Sequence, residues 1–177
     1  MPRCQGFTLF EVLFTLIITS AIFGIALPAL SHGLEAARAA DAKAALVASV
    51  ASSINRATLM ERRTVLCPSA DGHRCSAGYD WSRGWIGFQD DNGNREHDGG
   101  EWIYQRQPAL AGQVRLRSSV GRSRIVFQSS GGNAGSNVSF SLCDGRGPRA
   151  AETLVLNNQG GIRIAMLGTA AAQACGG

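Results

Sequence analysis

The sequence predicts an α+β protein: one long N-terminal helix packed on a C-terminal antiparallel β-sandwich-like domain. Three observations predict it. The 23-residue run from Val12 to Leu34 holds no Asp, Glu, Lys or Arg. The next segment, Glu35 to Arg63, keeps a helical period without one Gly or Pro. From Thr64 onward the period shortens to the alternation of strands, in a chain with 22 Gly among 177 residues.

The apolar run reaches about 34 Å as a helix, enough to cross a hydrocarbon core of roughly 30 Å. Residues 7–34 are read as the transmembrane half of the helix. Pro28 lacks a backbone donor and Gly24 is a poor helix former, so a kink or loosening is expected there. A secretory signal peptide, with Arg3 as its charged start and Ala26 to Ala29 as its small residues, fits the same run and would leave a mature chain starting near Ser31. Two features weigh against it. Glu11 lies near the start of the apolar core, and a carboxylate costs up to about 2.5–3.5 kcal/mol at mid-membrane. The helical pattern also continues past the run, where a cleaved signal would end.

Residues 35–63 are read as an amphipathic half. Ala40, Ala44, Val47, Val50, Ile54 and Ala57 recur at three- and four-residue spacing and form the expected apolar stripe. Arg38, Ser49, Ser53, Arg56 and Arg63 fall elsewhere on the wheel. About two heptads can be read, too few for a coiled-coil stalk.

Residues 64–177 are read as a β-rich globular domain. The expected strands are Thr64–Leu66, Trp85–Phe88, Trp102–Gln105, Val114–Arg117, Arg124–Phe127, Val138–Leu142, Thr153–Leu156 and Ile162–Met166. Turn-rich segments such as SSGGNAGSN, DGRGPR and NNQGG separate several of them. A net charge of +4 selects no single class of partner.

Five cysteines are present: Cys4, Cys67, Cys75, Cys143 and Cys175. Without the first residues an even number remains, which suits disulfides in an oxidising compartment. Three pairings exist. Cys67 with Cys75 is favoured because it closes the short loop CPSADGHRC. Cys143 with Cys175 would tie down the tail, and each bond contributes about 2–4 kcal/mol. Zinc, with His73 and His97 as further ligands, is the rival use, but the spacing is not that of a zinc site.

QGFTLFEVL resembles the processing site of type IV pilins and type II secretion pseudopilins. LCPSADGHRC, GWIGFQDDNGNREHDGGEWI, FSLCDGRG and NNQGGIRI resemble the GspH/FimT group of minor pilins and pseudopilins. The resemblance implies a pilin fold, a leader of residues 1–6, cleavage between Gly6 and Phe7, and N-methylation of Phe7 by a prepilin peptidase/methyltransferase. It also implies assembly with other pilins or pseudopilins through the N-terminal helix, with Glu11 and Pro28 as assembly residues. Glu11 would be the fifth residue of the processed chain and would pair with a neighbour's amino terminus. Phe10 stands where Ile, Leu or Val is commoner.

The implied protein is a structural subunit acting in filament initiation or at the tip. It would be a single-pass protein of the bacterial inner membrane with its β domain in the periplasm, and later part of a filament. A type IV pilus and a type II secretion pseudopilus share this logic, so both stay open. The positive-inside count does not favour this orientation, since Arg3 stands against Arg38 and Lys43.

Two further sets of residues could bind ligands. In DDNGNREHDGGE, Asp90, Asn92, Asn94, Glu96, Asp98 and Glu101 fall at the ligand positions of a calcium loop, although Arg95 replaces the usual Gly. The alternative is a polar hairpin loop with no cofactor. Arg115 and Arg117 share one strand face, Arg122 and Arg124 follow in VGRSR, and Arg163 comes later. Such a set could contact DNA phosphates, or be a solvated face. Some members of the resembling group serve DNA uptake with a Gly-Arg-x-Arg motif, whose first Arg is missing from Gly160-Gly161-Ile162-Arg163. The chain carries no Gly-x-Ser-x-Gly, phosphate loop or His-Glu-x-x-His, and an enzyme is not expected.

Overall fold

The computed structural model describes residues 8–133, 135, 137–165 and 175. Gly6, Phe7 and Met166, the end of the last expected strand, lie outside the described residues. The chain divides into two compact units, Met1–Leu34 and Glu35–Gly177.

Helix α1 spans Leu9–Leu59 and stays helical through Gly24 and Pro28. In its apolar half the hydroxyls bond back onto the helix. Thr15 donates to the Val12 carbonyl, Thr19 to Thr15, Ser20 to Ile17 and Ser31 to Pro28. These side chains therefore need no partner from outside the helix.

The helix ends four residues before the expected Arg63. Glu61 takes a left-handed conformation with φ 53°. Arg62 N–H then reaches the Ala57 carbonyl at 3.2 Å, which closes a Schellman-type cap. A residue with a Cβ occupies the position usually given to Gly, which is why residue type carries no stop signal here.

Eight strands follow: β1 Thr64–Pro68, β2 Trp85–Gln89, β3 Ile103–Gln107, β4 Arg115–Ser118, β5 Ile125–Phe127, β6 Val138–Cys143, β7 Glu152–Leu156 and β8 Ile162–Ala165. They form two four-stranded sheets, ordered β3-β2-β1-β5 and β4-β6-β7-β8. Every neighbouring pair is antiparallel. Strand β3 starts at Ile103, one residue after the expected Trp102, whose carbonyl still accepts from Gln89 N–H at 3.1 Å and whose ring centroid lies 4.2 Å from the Arg56 guanidinium.

The main core lies between the helix and the inner faces of both sheets. It includes Leu46, Val50, Leu66, Trp81, Trp85, Leu116, Phe127, Phe140, Leu154 and Leu156. Trp81 packs edge-on against Phe140 with centroids 5.3 Å apart. A smaller core covers the other face of the first sheet, built from Val65, Cys67, Ile86, Phe88 and Val126. Strand β1 is thus buried on both faces, and all five of its residues are buried.

The buried face of the helix differs from the expected stripe. Ala40, Ala44 and Val47 are exposed, whereas Ala39, Ala42, Leu46, Ser49 and Ser53 are buried beside Val50 and Ala57. The cause is two buried serines that hydrophobic periodicity cannot recognise. Ser49 Oγ donates to the Ala45 carbonyl and accepts from Trp85 Nε1. Ser53 Oγ donates to the Ser49 carbonyl and accepts from the Tyr104 hydroxyl. Their polarity is satisfied, so their small size lets the helix approach the first sheet closely.

Candidate assembly surface and loop sites

Every described residue from Thr8 to Leu34 is exposed, and Leu9, Phe10, Phe14, Phe23 and Ile25 are among the large apolar side chains. By length and composition this half of the helix is long and apolar enough to cross a membrane. An exposed apolar surface of this extent marks a membrane or protein contact.

Glu11 is the one carboxylate in this unit. Its backbone N–H is 3.3 Å from Thr8 Oγ1, the geometry of an N-terminal cap. Thr8 and Glu11 have the T-x-x-E spacing of a capping box, and a carboxylate in the first turn also faces the positive end of the helix dipole. Among the described residues the carboxylate itself has no partner. Local helix physics thus favours an acid here without neutralising it.

In the second unit, Glu35 fastens the start of the amphipathic half. Its carboxylate accepts from Arg38 and from the backbone N–H groups of Gln113 and Gly145. The Arg38 bond, opposed by partial burial and assisted by the two backbone donors, lowers its pKa below the usual carboxylate value. Next to Gly145, burial raises the Asp144 carboxyl, but the bonds from Arg146 outweigh it and leave the pKa lowered. Lys43 reaches Glu152 on β7 at 2.7 Å.

Cys67 bonds to Cys75 and Cys143 to Cys175, with Cα atoms 5.5 Å and 5.7 Å apart. Those sulfurs are therefore not thiolates that could join His73 or His97 around zinc. Within the first closed loop Asp71 accepts from the backbone N–H groups of His73 and Arg74, which lower its pKa to about 2.

The loop between β2 and β3 holds the six residues of the calcium count but not as one ligand set. Asp90 accepts from Gly93 and Arg95 N–H, and Glu101 from Asp91 and Asp98 N–H. Asn92 and Asn94 both donate their amides to Asp98. Glu96 turns away to Arg124. Among the described residues no group of three or more His, Cys, Asp or Glu is placed to hold a metal. The loop instead covers the smaller core, with His97 edge-on to Phe88 at 5.4 Å.

The five arginines expected to form one phosphate-contact set lie in three places. Arg115 and Arg117 are exposed on β4, and Arg163 is exposed on β8 at the opposite edge of the same sheet. Arg122 and Arg124 belong to the segment entering β5 in the other sheet. Arg124 is only 17% exposed and is held by Glu96 at 2.6 Å. Twist and sheet order, which a linear count of arginines ignores, separate them.

An apolar helical half joined to a helix-backed pair of antiparallel sheets defines a pilin-type subunit. The pattern described as "Type II transport protein GspH" matches residues 42–160, and the "Prokaryotic N-terminal methylation motif" matches residues 1–27. The chain belongs to the GspH family and is a minor pilin or pseudopilin. Its fold is similar to the crystal structure of the type IV minor pilin FimU of Pseudomonas aeruginosa (TM-score 0.57, 13% identity, covering 76% of this chain and 90% of that one). A second crystal form of FimU gives a TM-score of 0.54 at 13% identity, covering 73% and 90%. The minor pseudopilin EpsH of the Vibrio cholerae Type 2 Secretion System gives 0.49 at 15% identity, covering 72% and 96%. Among curated proteins, no relative matches by sequence.

Proposed function

We propose that this chain is cleaved between Gly6 and Phe7, N-methylated on Phe7, held in the inner membrane by residues 7–34, and then built into a filament with residues 64–177 outside the cytoplasm. The carrying observation is the exposed apolar half with a single carboxylate, Glu11, one turn from the new amino terminus. A lone carboxylate in hydrocarbon is costly, and a neighbour's terminal ammonium offsets that cost. Glu11 therefore pairs with that ammonium during assembly, and Pro28 lies within the helix that packs against neighbours.

The test compares the wild type with Glu11→Ala. The variant should insert and yield a mature chain starting at N-methylated Phe7, but enter filaments poorly. Normal incorporation refutes the pairing, and a mature chain starting near Ser31 refutes the processing. The family match to a type II transport protein favours a second reading, a secretion pseudopilin rather than a pilus subunit. Co-purification with one machine or the other decides between them.

A further inference from the structure

A cleft of about 450 Å³ opens where three loops of the second unit meet. Arg95 comes from the loop after β2, Arg122 and Arg124 from the turn before β5, and Gly78 from the segment after the first disulfide. Three arginines face one glutamate, Glu96, which leaves a net charge of +2 in the lining.

These cations are unequally engaged. Arg124 Nη2 bonds both Glu96 oxygens, at 2.6 and 2.8 Å. Its Nε is buried and has no acceptor among the described residues. Among the same residues the side chains of Arg95 and Arg122 have no partner. Arg95 is also held in a left-handed conformation, φ 66°, by the Asp90 carboxylate on its N–H. The cleft is short of acceptors, and the acceptor it already holds is a carboxylate on a mobile-length side chain that is 55% exposed.

We propose that this cleft binds an exposed carboxylate-bearing segment of a partner protein. The partner's Asp or Glu bonds Arg122 and Arg95, while Glu96 keeps Arg124 aligned. A nucleic acid fits less well. The loop beside the cleft carries Asp90, Asp91, Asp98 and Glu101 as well as Glu96, and a polyanion continuing past the cleft would run against them. One or two carboxylates flanked by neutral residues avoid that repulsion. This site is independent of the helix pairing and would exist in either filament.

The test uses the full chain in neutral detergent and isothermal titration calorimetry. The probes are the peptide Gly-Ser-Glu-Glu-Ser-Gly, its Gln-Gln counterpart, and a short DNA duplex. The Glu peptide should bind more tightly than the Gln peptide and lose affinity as salt rises. Arg95→Ser with Arg122→Ser should weaken it by roughly tenfold, from two exposed charge contacts. Glu96→Gln should strengthen it, and Arg149→Ser, outside the cleft, should leave it unchanged. Equal binding of the two peptides overturns the proposal, as does unchanged affinity in the double arginine variant. Tighter binding of the duplex, lost in that same variant, overturns it in favour of a phosphate polymer.

Discussion

The indole N–H of Trp85 donates to Ser49 Oγ at 2.9 Å, and both side chains are fully buried between the helix and the first sheet. Ser49→Ala removes the acceptor and leaves the indole donor without one. The expected loss is about 1–3 kcal/mol, measured by urea denaturation of the full chain in detergent. Ser52→Ala, on the exposed side of the same helix, should change stability by less than about 0.5 kcal/mol.

Glu61 closes the helix in a left-handed conformation that its Cβ disfavours. Glu61→Gly should therefore raise stability by about 1 kcal/mol, as a higher denaturation midpoint with an unchanged slope. A lower midpoint would mean that the Glu61 side chain supports the turn.

Gly84 lies at φ 106°, and an added Cβ would sit 2.4 Å from the Gln107 carbonyl oxygen. Both partners are backbone, so neither can yield cheaply. Gly84→Ala should cost at least about 1–3 kcal/mol and lower the melting temperature.

Asp71 gives the first disulfide loop a pH dependence. Its folded pKa, about 2, is below the ordinary 3.8. The stabilisation is complete above the ordinary value and is lost as pH falls through the folded one. Hydrogen exchange at His73 and Arg74 should lose protection between about pH 4 and pH 2, once the intrinsic pH dependence is removed. Asp71→Asn should lack that transition.

The carboxylates of the β2–β3 loop already accept its backbone N–H groups. Millimolar calcium should therefore leave the melting temperature unchanged. A rise that Asp98→Asn abolishes would show that calcium reorganises the loop.

Much of the architecture is legible in the sequence because its signals are local. The charge-free run, the Ala-rich helix and all eight strands follow from period and turn residues. The details that escaped depend on contacts distant in sequence. Ser49 and Ser53 read as solvent-facing until Trp85 and Tyr104 meet them. Glu61 carries no stop signal by residue type. The arginine set looked continuous because a linear count does not record that β4 and β5 belong to different sheets. The acidic loop resembled a cation site by spacing alone, whereas Glu96 is engaged by Arg124 from another part of the chain.

The placement of β1 has a mechanical consequence. It follows the helix after a four-residue turn and is bonded on both sides, to β2 over five residue pairs and to β5 over three. Tension that passes the packed half of the helix and follows the backbone reaches the sheets at Thr64, on an interior strand instead of an edge. The two ladders then resist by shearing together, which needs many bonds to break at once, whereas an edge strand could peel away one bond at a time. The strand that the helix leads into is thus one held by two ladders, not one.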